Sequence, residues 1–177
     1  MKTIVEQMIS YSSYHRDPRN KATHFIGVPL VIYSILIPMG WFRFAPVDIP
    51  LSIAMLFILF VFLYYLKLDK VLALAQLPFT VALLYAADRA SLLPFLESAQ
   101  VFAASFVGGW IFQLTGHVFE GRRPALVDNI WQVFNAPLFL TLELLFILGI
   151  RRDMQKKVDA ECQKIRQGVK STAVKLA

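Results

Sequence analysis

Four long stretches of this chain contain no Asp, Glu, Lys or Arg: Ala22–Phe42, Ile49–Leu66, Val71–Ala87 and Ser98–Phe119. They run to 21, 18, 17 and 22 residues. A helix needs about 20 apolar residues to cross the hydrocarbon core, with a range of about 17–25, so each stretch qualifies. A fifth stretch, Ile130–Ile150, is interrupted by Pro137 and Glu143. In 177 residues, 57% of them hydrophobic and 17% charged, too little polar material remains to cover such helices in water. The expected fold is all-α: a multi-pass transmembrane helical bundle of about four spans plus a broken or re-entrant fifth segment. Both ends of the chain are expected to form amphipathic helices.

Loop charge then orders the spans. If they alternate across a bilayer, Lys2, Arg16, Arg19, Lys21, Lys67, Lys70, Arg122 and Arg123 fall on one side, against Arg43 and Arg89 on the other. Excess Lys and Arg marks the cytoplasmic face, so the N-terminus is expected there. Residues 151–177 carry eight Lys/Arg and three Asp/Glu, which is +5 of the net +6. The basic balance is a tail property, which argues against nucleic acid as a partner. A basic tail on the same side requires an even number of crossings, hence four spans with Ile130–Ile150 turning back around Pro137. The polar run His15–Lys21 stands where a cleavable signal would place its apolar core, so the first span is expected to act as an uncleaved anchor. Cys162 is alone, which excludes an internal disulfide.

The flanks show helical periodicity. Ile4, Met8, Tyr11 and His15 predict an amphipathic helix that stops at Pro18. Met154, Val158, Cys162, Ile165 and Val169 form a similar stripe in the basic tail, which suits either an anionic membrane surface or a solvated helix.

The chemistry lies in three histidines. The topology, deduced without them, brings His15, His24 and His117 to one membrane face: just before the first span, at its start, and at the end of the fourth. Three imidazoles at one depth can ligate Fe, Zn or Cu. Glu120 lies at i+3 from His117 on the same helical face, with Gly121 placed to end that helix. Glu120 is therefore a fourth candidate ligand, or a group that orients a histidine. Glu143, ionisable within an apolar stretch, is a ligand, an acceptor behind a histidine N–H, or a partner for Arg122 or Arg123. Arg122 and Arg123 follow the candidate metal helix and can clamp a substrate carboxylate or serve as positive-inside anchors. Asn20 is placed beside them at the substrate. Asp17, Asp128 and Asn129 stand at helix ends as caps, with Asp17 and Asn129 also placed behind the ligands. Gly27-x-Pro29 and Gly108-Gly109 mark kinks or close helix packing.

Several classes can be set aside. The chain has no Gly-rich phosphate loop, no GxSxG elbow and no HExxH. A carboxylate di-iron bundle needs two Glu-x-x-His pairs and two further Glu. Here Glu6 and Glu161 lie in the flanks, and Glu97 falls on the opposite face. A mononuclear site remains. It is compatible with an iron oxygenase, with a zinc-dependent membrane lipid hydrolase using Glu120 as base, and with a non-enzymatic lipid-binding membrane protein.

The segment Tyr14–Pro29 (YHRDPRNKATHFIGVP) resembles the first signature of the membrane 2-hydroxy fatty acid dioxygenase family, whose fungal member acts in phytosphingosine breakdown. Gln113–Leu126 (QLTGHVFEGRRPAL) is similar to its second signature, and Ala136-Pro137…Glu143 to a weaker third. The likeness covers roughly residues 8–150. It implies an Fe(2+)-dependent α-oxidation in which a long-chain 2-hydroxy fatty acid and O₂ give the acid one carbon shorter, CO₂ and water. Oxidising C2 to a carboxyl group while C1 leaves as CO₂ supplies the four electrons O₂ accepts, so no nicotinamide, flavin or 2-oxoglutarate is needed. The expected layout is a membrane-embedded catalytic domain over residues 1–150 and, outside the resemblance, a basic amphipathic cytoplasmic tail over 151–177. The acyl tail would lie among the spans, with its head at a cytoplasmic-face iron. A bacterial inner membrane is the expected location, or the endoplasmic reticulum for a eukaryotic chain. Oligomeric state stays open, a homo-oligomer included.

Overall fold

A computed structural model describes residues 3–48, 50–121, 123–124 and 130–175. Among these residues the chain forms seven α-helices and one minimal hairpin. Helix α1 (Ile4–Ser12) opens on a capping box: the Thr3 hydroxyl accepts from the Glu6 N–H, and the Glu6 carboxylate accepts from the Thr3 N–H. The helix stops at Ser12, before His15, and Pro18 does not end it. Instead Pro18 opens α2 (Pro18–Trp41), with the Asp17 carboxylate accepting the Arg19 N–H. At the first helical position a proline has no N–H to lose and its φ is already helical, so it starts a helix there. His15 consequently sits in the turn between α1 and α2, not on the face of α1.

Strands β1 (Arg43–Phe44) and β2 (Leu51–Ser52) pair antiparallel and lead into α3 (Ile53–Leu68). Asp69 alone separates α3 from α4 (Lys70–Ser91), and its carboxylate caps α4 at the Leu72 N–H. Helix α5 (Phe95–Glu120) ends at Gly121, whose φ of 67° is the left-handed conformation that closes a helix without a Cβ clash. A 3-10 turn (Ile130–Phe134) precedes α6 (Asn135–Ile147), and a turn through Gly149 and Arg151 leads to α7 (Arg152–Lys175). Pro137 lies in the first turn of α6, where it is tolerated; the sharp bend of 116° comes after Ile147.

Three of these helices, α2, α4 and α5, are long and apolar enough to cross a membrane. Helix α3 is also apolar but has 16 residues, because the first residues of its charge-free run go to β2 and the Ser52 cap. Helices α6 and α7 pass the same test only as one bent pair. Helix α2 packs most extensively on α5, and glycines let the two approach. A Cβ on Gly27 would lie 3.0 Å from the Gly109 carbonyl oxygen, and one on Gly109 would lie 2.8 Å from the Val31 side chain.

The tail helix has a covered stripe. Met154, Val158 and Cys162 are buried in one cluster with Ile4 and Met8 of α1, and Ile165 stays exposed. The side chain of Val169 lies outside the described residues. Helix α1 is thus the surface that α7 meets, and Arg16 and Asp159 face each other at 3.7 Å across the same contact.

Candidate metal centre

The α1–α2 turn, the first turns of α2 and the last turn of α5 bring His15, His24 and His117 together. All three are buried. Their ring centroids are 4.7, 5.1 and 5.0 Å apart, and the planes are steeply inclined to one another. One nitrogen from each ring lies within 4.8 Å of the other two. Metal–imidazole bonds of about 2.0–2.1 Å let two nitrogens sit at most about 4 Å apart across one ion, so the cluster is close to ligating size.

Two of the rings are oriented from behind. His15 Nδ1 lies 2.9 Å from the Tyr11 carbonyl oxygen, and His24 Nδ1 lies 2.9 Å from that of Asn20. A carbonyl only accepts, so Nδ1–H donates and Nε2 keeps its lone pair, which is the tautomer a metal ligand requires. Tyr11 also stacks on the His15 ring at 4.1 Å and 9°. Burial, aided by the neighbouring His24, lowers the His15 pKa to about 3. His15 is therefore a neutral donor at ordinary pH. Neutral imidazoles with lone pairs converging in a buried space fit a transition-metal ion.

Helix α5 can reach His24 because residue 116 is glycine. A Cβ there would stand 2.3 Å from the Thr23 hydroxyl and 3.0 Å from His24 Nδ1. Glu120, proposed from spacing as a fourth ligand or an orienting group, is not among the clustered donor atoms. Its Oε2 accepts the backbone N–H groups of Arg16 (2.8 Å) and Asp17 (2.7 Å) and the Asn20 amide (3.3 Å). The carboxylate therefore clamps the turn that carries His15 onto the end of the helix that carries His117. Asn20, expected at the substrate, is fully buried and works from behind: its carbonyl faces His24 and also accepts the Thr23 hydroxyl.

Asp17 caps α2 and holds Arg19, whose guanidinium keeps the Asp17 carboxyl low, at about 2. Arg19 in turn lies over the Phe119 ring at 4.7 Å, a second tie between α2 and α5. Glu143 pairs with Lys21 at 2.7 Å, where the sequence had suggested Arg122 or Arg123. That ion pair joins α2 to α6. Arg123 is exposed, beside Pro124, which lines the histidine cavity. Arg122, Asp128 and Asn129 lie outside the described residues.

The histidines line a cavity with Tyr11, Val31, Ile35, Trp110, Gln113 and Gln132 on its walls. Sequence reasoning missed Gln113, Gln132 and Gly116. Gln113 was visible one turn before His117 on the same helical face, whereas Gln132 is fixed by Ser10 and Asn135, which no spacing reveals.

A family model described as "2-hydroxy-palmitic acid dioxygenase Mpo1-like" matches residues 1–148. The 2-hydroxy-palmitic acid dioxygenase MPO1 of Saccharomyces cerevisiae is 34% identical over 146 residues, covering 81% of this chain and 80% of the yeast protein. No solved structure matches the chain. The matched region contains all three buried imidazoles and all three segments on which the resemblance was read, and the chain belongs to the Mpo1-like family.

Proposed function

We propose that this protein is a membrane dioxygenase that converts a long-chain 2-hydroxy fatty acid and O₂ into the acid one carbon shorter, CO₂ and water, using Fe(II) held by His15, His24 and His117. The observation that supports this reading best is the buried cluster of three imidazoles in a chain 34% identical to a 2-hydroxy-palmitic acid dioxygenase. Iron(II), when bound, supplies the one-electron chemistry that lets O₂ react with a closed-shell acid. The protein's own residues hold and shield. The Tyr11 and Asn20 carbonyls fix two rings by their Nδ1–H groups, and the Glu120 clamp keeps His15 in register with His117. Val31, Ile35 and Trp110 make the rest of the cavity apolar, which keeps bulk water from the reacting carbons. Gln113 offers its amide group to the carboxylate or hydroxyl of the acid.

Glu120 argues against the hydrolase alternative. Its carboxylate is committed to two backbone N–H groups and the Asn20 amide, which occupies the oxygen a hydrolase would need to activate water. The loop-charge bias supports placing the histidine end, α1 and α7 at the cytoplasmic face. The test is O₂ uptake by purified protein with 2-hydroxypalmitic acid, with and without added Fe(II). The expected result is iron-dependent uptake, one CO₂ per O₂ and a product shorter by one carbon. Zinc without iron, or uptake without loss of a carbon, would overturn it.

A further inference from the structure

The histidine cavity shares a wall with a second cavity. This one lies between α2, α3, α4 and the 3-10 turn, and Ile35 and Val133 line both. Ile35 stands eleven residues beyond His24, which is about 16 Å along α2 at about 1.5 Å per residue. Past that point the walls are almost wholly apolar, built by Phe57, Ile58 and Val61 of α3 and Phe79 and Leu83 of α4. Two polar side chains on them are already engaged: Gln76 accepts the Thr141 hydroxyl, and the Tyr65 hydroxyl donates to the Phe134 carbonyl. Such a space suits hydrocarbon, not a head group. Ile35, Phe79 and Val133 are 39%, 38% and 43% exposed, so the junction opens to the outer surface of the bundle.

We propose that the second cavity is the acyl-chain site, and that its occupant is the tail of the same 2-hydroxy acid whose head meets the histidines. The inference rests on the acid-oxidising reading above and adds to it where the chain runs and what measures its length. The shared residues Ile35 and Val133 decide the occupant: one molecule with a small polar head and an unbranched apolar tail reaches both cavities by passing them. Leu83 and Thr80, on the α4 wall, then set the chain length accepted.

The experiment uses the full chain in nanodiscs and a 2-hydroxypalmitic acid analogue carrying a diazirine on its terminal carbon. Photolysis is expected to label α3 between Phe57 and Tyr65 and α4 between Gln76 and Leu83, and unlabelled 2-hydroxypalmitic acid should displace the probe. Because one methylene in an apolar pocket is worth about 10–200-fold, Leu83→Trp and Thr80→Trp should each lower the kcat/KM ratio of 2-hydroxypalmitic over 2-hydroxyoctanoic acid by about tenfold or more. Labelling spread over the outer faces of the helices, or a ratio unmoved by both variants, would overturn the proposal. Displaceable labelling of α3 and α4 without O₂ uptake on either acid leaves the acyl site standing and removes the oxidising function.

Discussion

The two ends of the α2–α5 pair bury polar groups in opposite ways. Near Trp41 each polar group finds a partner that completes it: the indole N–H donates to the Ser98 hydroxyl at 2.8 Å, and the Arg43 guanidinium meets the Asp88 carboxylate and the Ser91 hydroxyl. Near His24 three imidazoles gather instead: backbone carbonyls take one nitrogen of His15 and one of His24, and one nitrogen from each of the three rings lies within 4.8 Å of the others. On the reading proposed above, a cation joins those nitrogens. The same two helices thus carry one end that holds them together and one end that gathers candidate ligands.

Substituting the ligands should break this contrast most severely. His24→Ala and His117→Ala are expected to abolish iron retention and O₂-dependent loss of one carbon, read by metal analysis and product mass. Either variant keeping stoichiometric iron would place the centre elsewhere. Gly116→Ala comes next, since its Cβ would drive α5 off Thr23, Asn20 and His24. Iron content should drop sharply while the helical circular dichroism signal remains. Glu120→Ala leaves the three imidazoles in place but frees the His15 turn, and a group of this kind typically accounts for about 10–100-fold in metal affinity or activity. Titration with Fe(II) under anaerobic conditions measures it.

A pH series on the metal-free protein sharpens the comparison further. His15 titrates near 6.5 in an unfolded chain and at about 3 when folded, so below pH 6.5 the unfolded chain takes up the proton first. Stability is therefore full above about pH 6.5 and is lost as pH falls towards 3. Thermal unfolding in detergent at pH 7 and pH 5 should show it, with His15→Gln flattening the slope. The smallest effect is expected at the other end. Ser98→Ala removes one hydrogen bond from the Trp41 indole and should cost about 1 kcal/mol of stability with iron content unchanged.

What the sequence disclosed was what depends on nearby residues. Charge-free runs and loop charges brought three distant histidines to one end, because span length and flanking charge are local properties that together fix which helix ends are neighbours. Gly121 as the stop of α5 and Asp17 as the cap of α2 were legible for the same reason. The role of Glu120 was not. Its i+3 spacing from His117 suits a ligand or an orienting group equally, and the deciding partners are backbone N–H groups 103 and 104 residues away. Lys21 as the partner of Glu143 is a tertiary fact of the same kind, the two lying 122 positions apart in sequence. Helix α3 came out shorter than its charge-free run because a hairpin drew on its first residues, and apolar composition does not distinguish strand from helix over so few positions. The tail stripe could be read, but its covering by α1 could not, since periodicity shows that a face is apolar and not what meets it.

The clamp between Glu120 and the Arg16–Asp17 backbone also orders events during synthesis. A ribosome delivers α1, α2 and two of the three imidazoles first, and the carboxylate that fixes their turn follows 104 residues after Arg16. At translation rates of about 5–20 residues per second, that interval lasts roughly 5–20 s. The nascent N-terminal half therefore carries two histidines that cannot yet be locked together with the third. On the reading proposed above, metal capture becomes a late event in biogenesis, gated by arrival of the end of α5, and a chain truncated before that point is released without a complete histidine cluster.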